Sequence, residues 1–209
     1  MDPLFLYPYN ADALKDYEDN AKKSKTHSLR YVNFAEQIFY HDITICYKHI
    51  KELANPINSD KRKEETLFWY RTTTRSFISY TDGMIGVLKD VIRWDYERGE
   101  LKLDDFDIEA INGNKRINIK KRKIYESNRS FEEHLDIVLL YFPKVFGINF
   151  KPDKTGDYRC FKECLKYRHS ITHPNKPLDI LISSENNRFL SKAPMWLHST
   201  LLTMFTACK

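Results

Sequence analysis

From Tyr31 to Leu53 the apolar side chains step by three and four, through Ala35, Ile38, Phe39, Ile43, Cys46 and Ile50. At about 3.6 residues per turn that spacing lays one stripe along a helix, which closes at the turn-rich NPINSD. A longer helix is predicted to begin at Asp60, an N-cap with Glu64 and Glu65 in the first turn, and to run toward Gly99. Its inner positions are Leu67, Thr74, Phe77, Ile78, Ile85, Leu88, Val91 and Ile92, with Gly83 and Gly86 weakening its middle.

Residues 99–128 hold no sustained period and read as a long charged connection, with apolar Ile111, Ile117 and Ile119 around NGN (112–114) as the ingredients of a small hairpin. Ser130 with Glu133 spells a capping box, opening a third helix whose inner positions Phe131, Leu135, Val138, Phe142 and Val145 end at Gly147. A fourth helix is predicted from about Asp157 to His173, stopped by Pro174, and Pro194 suits the first turn of a last helix carrying Leu197, Leu201 and Phe205. The expected architecture is all-α: one antiparallel helical bundle over 1–209, with the charged connection between its second and third long helices. No internal repeat and no domain linker interrupts it.

Composition agrees with one sizeable core, since 42% of 209 residues are hydrophobic. The longest apolar run, LDIVLLYF, is short of the roughly 20 residues a membrane span needs, and the N-terminus lacks the pattern of a secretory signal. Four irregularly spaced cysteines, Cys46, Cys160, Cys164 and Cys208, do not make a disulfide framework, so a soluble cytoplasmic protein is expected. The net charge of +5 is modest, yet six of nine residues in KRINIKKRK (115–123) are basic, after the acidic DDFDIE (104–109). This run reads either as a solvated connection or, through Lys120, Lys121, Arg122 and Lys123, as a contact for an RNA backbone.

The fourth helix ends in KYRHSITHP, which holds the most unusual chemistry of the chain. On a wheel of about 100° per residue with Cys160 at zero, Phe161, Cys164, Leu165 and Ile171 fall within an arc of about 140°, and Arg168 falls at about 80°, inside that arc. A guanidinium there needs an anionic partner, because burying it unpaired costs several kcal/mol. His169 and His173 lie at about 180° and 220°, one helical turn apart on a neighbouring face. Two readings follow from the wheel. Arg168 pairs with a core carboxylate such as Asp82 or Glu36 and the histidines close the helix near its negative pole. Alternatively, a fixed cation beside imidazoles that titrate near neutral pH serves acid–base chemistry on a phosphodiester.

Spacing alone does not choose, because RSFEEH repeats the Arg-x4-His pattern from Arg129 to His134 at a helix start, where we assign it no function. A zinc set of Cys160, Cys164, His169 and His173 fails on the wheel, which sends the two residue types to opposing sides of an unbroken helix. No phosphate-binding glycine loop is present.

CLKYRHSITHP resembles the RX4-6H signature of HEPN domains, in which a polar residue follows the arginine and the motif closes a late helix of an all-helical bundle. Arg168, the polar His169 and the terminal His173 match it position by position. ITHPNKPLDILI after it and YRTTTRSFISYTDGMIGVLKDVI before it are similar to a standalone HEPN family of plasmids and mobile elements, over roughly 60–208. The resemblance implies a metal-independent endoribonuclease of a toxin or antiviral defence type, without cofactor, acting on RNA as a homodimer whose two motifs line one cleft. An antitoxin or other defence-system protein is the implied partner. It also implies roles: His173 for acid–base work at the ribose 2′-hydroxyl, Arg168 for charge on the phosphorane, His169 for orientation or proton shuttling. The runner-up is a non-catalytic module of the same fold that binds RNA, a nucleotide or a protein.

Overall fold

The computed structural model describes residues 11–53, 59–172 and 187–209, the side chains at 11, 59–63, 168–172 and 187–188 excepted. Helices α1 (Ala11–Ala21), α2 (Lys25–Leu53), α3 (Ser59–Glu97), α4 (Asp105–Asn112), α5 (Phe131–Val145), α6 (Tyr158–Thr172) and α7 (Asn187–Ala207) account for most of it, with one two-stranded sheet of β1 (Lys115–Asn118) and β2 (Lys123–Asn128). The chain is an all-α protein.

At about 1.5 Å per residue, the 39-residue α3 is roughly 58 Å long and serves as the spine. Helices α2, α5, α6 and α7 all pack on it. The α2–α3 pair is antiparallel, as three ring contacts in reversed order show: Tyr31 with Trp94, Tyr40 with Tyr80, His49 with Trp69. Most of the apolar stripes expected from the sequence are buried, while Ile38, Phe39, Ile50, Leu53, Leu67 and Phe131 are only partly so. Ile43 and Cys46 on α2, Phe77, Leu88, Val91 and Ile92 on α3, and Leu197, Leu201 and Phe205 on α7 are in the core.

Two helix ends follow their sequence signals closely. At α5 the Ser130 Oγ accepts from Glu133 N–H and the Glu133 carboxylate accepts from Ser130 N–H, a complete capping box. The same helix closes on Gly147 at φ 72°, where Gly147 N–H donates to Lys144 O and Ile148 N–H to Pro143 O. A residue with a Cβ is strained in that left-handed conformation, hence the glycine.

Three expectations need correction. First, the connection 99–128 contains a helix: α4 has its own capping box, Asp104 with Asp107, an aspartate standing where Glu or Gln is usual. Second, NGN ends α4 rather than turning the hairpin. Gly113 N–H donates to Glu109 O at 2.9 Å, and the strands reverse instead between Asn118 and Lys123. Third, α7 begins seven residues before Pro194, which therefore lies inside it and withholds the N–H that Leu190 O would accept. Tyr47 Oη donates to that carbonyl at 2.6 Å and to Ser191 O at 2.9 Å, so the backbone is satisfied from α2. Helix α1 was outside the predicted elements, its stripe being thin: only Ala21 is fully buried and Leu14 partly so.

Candidate functional site

Helix α6 presents Cys160, Phe161 and Cys164 to the core, at 9%, 0% and 0% exposure. Burial pushes the Cys164 thiol up to about 12, so it is an inert core group rather than a nucleophile or ligand. Arg168 stands four residues past Cys164 on the same helix, in register with that stripe, and His169 follows it. The side chains of Arg168 and His169 lie outside the described residues, as does the whole of His173.

What surrounds that helix end is described. Phe161 meets Phe77 of α3 and Trp196 of α7, and one turn on Cys164 interacts with the Tyr47 hydroxyl of α2. Burial and the neighbouring Tyr40 and thiols hold that hydroxyl well above the usual tyrosine range, so it acts as a neutral donor. The direction of α6 is thus from Trp196 toward Leu190, and from Phe77 toward the start of α3.

Both carboxylates considered for Arg168 have described surroundings of their own. Glu36 lies eleven residues before Tyr47, roughly 16 Å back along α2 at about 1.5 Å per residue, and α6 runs away from it. Glu36 is 2% exposed and its Oε1 accepts from Tyr80 Oη at 2.8 Å and from His198 Nδ1 at 2.6 Å. Asp82 lies on the far side of Phe77 from the α6 end, where its charge bears on Lys89 and His134.

The Glu36–Tyr80–His198 cluster, with Tyr40 stacked on the imidazole at 4.0 Å, ties α2, α3 and α7 together. The sequence reading of Glu36 as a core carboxylate holds, since it is a charge inside the apolar arc of Val32, Ala35, Phe39 and Ile43, but its partners Tyr80 and His198 were not foreseen.

The basic run divides. Arg122 turns back onto α4, its Nη2 2.5 Å from both Asp104 carboxylate oxygens and its guanidinium 4.4 Å from the Phe106 ring centre. Asp104 is held below the usual carboxylate range by the Asp107 N–H and by this contact. Lys120, Lys121 and Lys123 are exposed on the hairpin. Lys120 lines an open groove of about 850 Å³ together with Ile119, Leu140, Phe150, Lys151 and Asp136.

The second Arg-x4-His is fully described. Arg129, 7% exposed, donates from Nε to Lys115 O at 3.1 Å and from Nη1 to Ala110 O at 2.6 Å, joining β1, the end of α4 and the start of α5. Lys89 Nζ donates to His134 Nδ1 at 3.4 Å. Burial, then the Lys89 and Arg129 charges, push His134 down to about 4, and burial and Arg129 lower Lys89 as well.

Among the described residues, no three His, Cys, Asp or Glu side chains gather as a metal site, and no helix is long and apolar enough to cross a membrane. The molecule is, by fold, an all-α bundle built on one long helix. Comparison of the chain with protein-family models, curated proteins and solved structures finds no match.

Proposed function

We propose that this protein is a metal-independent endoribonuclease of HEPN type, cleaving RNA as a homodimer in a toxin or antiviral defence system. The observation that carries the reading is the course of α6. Its buried stripe of Cys160 and Cys164 continues in register to Arg168 along a helix described as far as Thr172. Glu36 is already bonded to Tyr80 and His198, and Asp82 is exposed, so an external anion is the partner proposed for that arginine.

In this reaction His173 takes the proton of the ribose 2′-hydroxyl, and the 2′-oxygen forms a bond to the adjacent phosphorus. Arg168 balances the charge on the non-bridging oxygens, and His169 orients the imidazole or relays its proton. The bond to the 5′-oxygen breaks and that oxygen takes back the proton held by the His173 imidazolium, directly or through His169, leaving a 2′,3′-cyclic phosphate and a 5′-hydroxyl. On the sequence wheel Arg168 and His173 fall about 140° apart, and in the proposed dimer two copies meeting at their α6 ends bring the groups of both chains to one cleft. The lysines of the hairpin add backbone contacts for the RNA.

The test is incubation with mixed RNA in EDTA followed by end-group analysis. Cleavage with cyclic phosphate ends supports the reading. RNA bound but uncut assigns the fold to a binding module, and strict dependence on added magnesium or manganese overturns the chemistry.

A further inference from the structure

RSFEEH opens α5, and there its spacing has a geometric meaning. With Ser130 as N-cap, Arg129 is N′ and His134 is N4, the two positions whose side chains meet across the start of a helix. An apolar pair usually fills them. Here a guanidinium and an imidazole do, and Lys89 reaches in from α3 to 3.4 Å from the ring. Three basic groups from two elements therefore meet at the positive pole of a 15-residue helix.

The cluster is not internally satisfied. Arg129 spends Nε and Nη1 on two carbonyls, while its buried Nη2 has no hydrogen-bond partner. Leaving such a nitrogen unpaired beside a second cation is costly. The acids that bear on the cluster are Glu109 and Glu133 toward Arg129, Glu133 and Asp82 toward His134, and Asp82 toward Lys89. Glu133 is already committed to the Ser130 N–H and to Arg116 Nε at 2.9 Å, and Asp82 is exposed. Lys89 and His134 are only half-buried, so the cluster opens to solvent through them.

We infer that Lys89, Arg129 and His134 form a binding site for a tetrahedral oxyanion, with a phosphate group as the fitting ligand. Lys89 leaves the imidazole to pair with the anion, and the unpartnered Arg129 Nη2 is the second donor. Protonated His134 supplies a third, and the α5 pole favours the charge. None of Arg168, His169 and His173 takes part, so this site stands or falls apart from the nuclease reading.

The experiment is thermal unfolding of the full chain near pH 6 at fixed ionic strength, with inorganic phosphate replacing chloride. Millimolar phosphate is expected to raise Tm by about 2–4 °C in the wild type and in Arg168→Ala, and to do nothing in Lys89→Met. A rise equal to that of the wild type in Lys89→Met, a rise lost in Arg168→Ala, or none beyond chloride overturns the site. Should Lys89→Met fold poorly, the His134 ring resonances of the wild type decide: phosphate must shift them and move their titration upward, and unchanged resonances sink the inference. A nucleoside 5′-monophosphate forms the second arm. A larger rise than with inorganic phosphate identifies a phosphomonoester ligand, and an equal one identifies phosphate itself.

Discussion

At the scale of single residues, the proposed chemistry depends on two side chains, Arg168 and His173. Arg168→Ala and His173→Ala are each expected to lower RNA cleavage by at least about 100-fold, the usual worth of a positioned acid–base or charge-stabilising group. His27→Ala is expected to cleave normally, because His27 lies where α2 begins, bonded to Ser24 at 2.8 Å, at the other end of the bundle. Loss of activity in a folded His27→Ala protein would show that the wrong histidine had been chosen. His134 governs stability instead. Its folded value, pushed down to about 4, is below the roughly 6.5 of an unfolded histidine, so the unfolded chain takes up the proton first as pH falls. Its contribution is whole above about pH 6.5 and is lost toward pH 4, amounting to about 1–2 kcal/mol once solvent screening of a half-buried ring is allowed for. Denaturant melts from pH 7 to 4.5 are expected to fall less steeply in His134→Gln than in the wild type.

At the scale of elements, the long helices were legible because their apolar stripes repeat many times, and each repeat reinforces the period. The short α4 was not. Its eight residues give two turns, and its capping acids looked like part of a charged connection. The two glycines of α3 separate on contact. A Cβ at Gly83 would stand 2.7 Å from the Phe39 ring, so that glycine admits α2 closely, whereas one at Gly86 would meet nothing within 4 Å. Gly86→Ala is therefore expected to stabilise the protein by about 0.5–1 kcal/mol. Gly83→Ala gains nothing and loses up to about 2 kcal/mol through overpacking, both read from urea midpoints.

At the scale of the whole molecule, charge and assembly decide how RNA is met. Replacing Lys120, Lys121 and Lys123 by Gln is expected to weaken RNA binding and flatten its salt dependence, each lost phosphate contact taking about 0.7 off the log–log slope for single strands. Arg122→Gln should alter the slope less, since its charge is already met by Asp104 and Asp107. An unchanged slope in the lysine variant assigns the run to solvent. The proposed shared cleft requires a dimer at micromolar concentration by light scattering, and Arg168→Ala and His173→Ala chains mixed together should not regain full activity if each cleft needs both motifs intact.

The sequence by itself determined the helical class, the stripes that became the core, the Ser130 and Gly147 boundaries of α5, and the register that carries Arg168 on from Cys164. These follow from local rules, in which a residue's neighbours three and four positions away fix its face. Tertiary structure decided what crosses between elements. Tyr47 supplies the hydrogen bond that Pro194 withholds within α7, Glu36 is drawn to Tyr80 and His198, and Lys89 comes to rest against His134, in pairs separated by 143, 44, 162 and 45 residues. No periodicity along one helix encodes such partners, because they depend on how the packed cores bring separate stripes together.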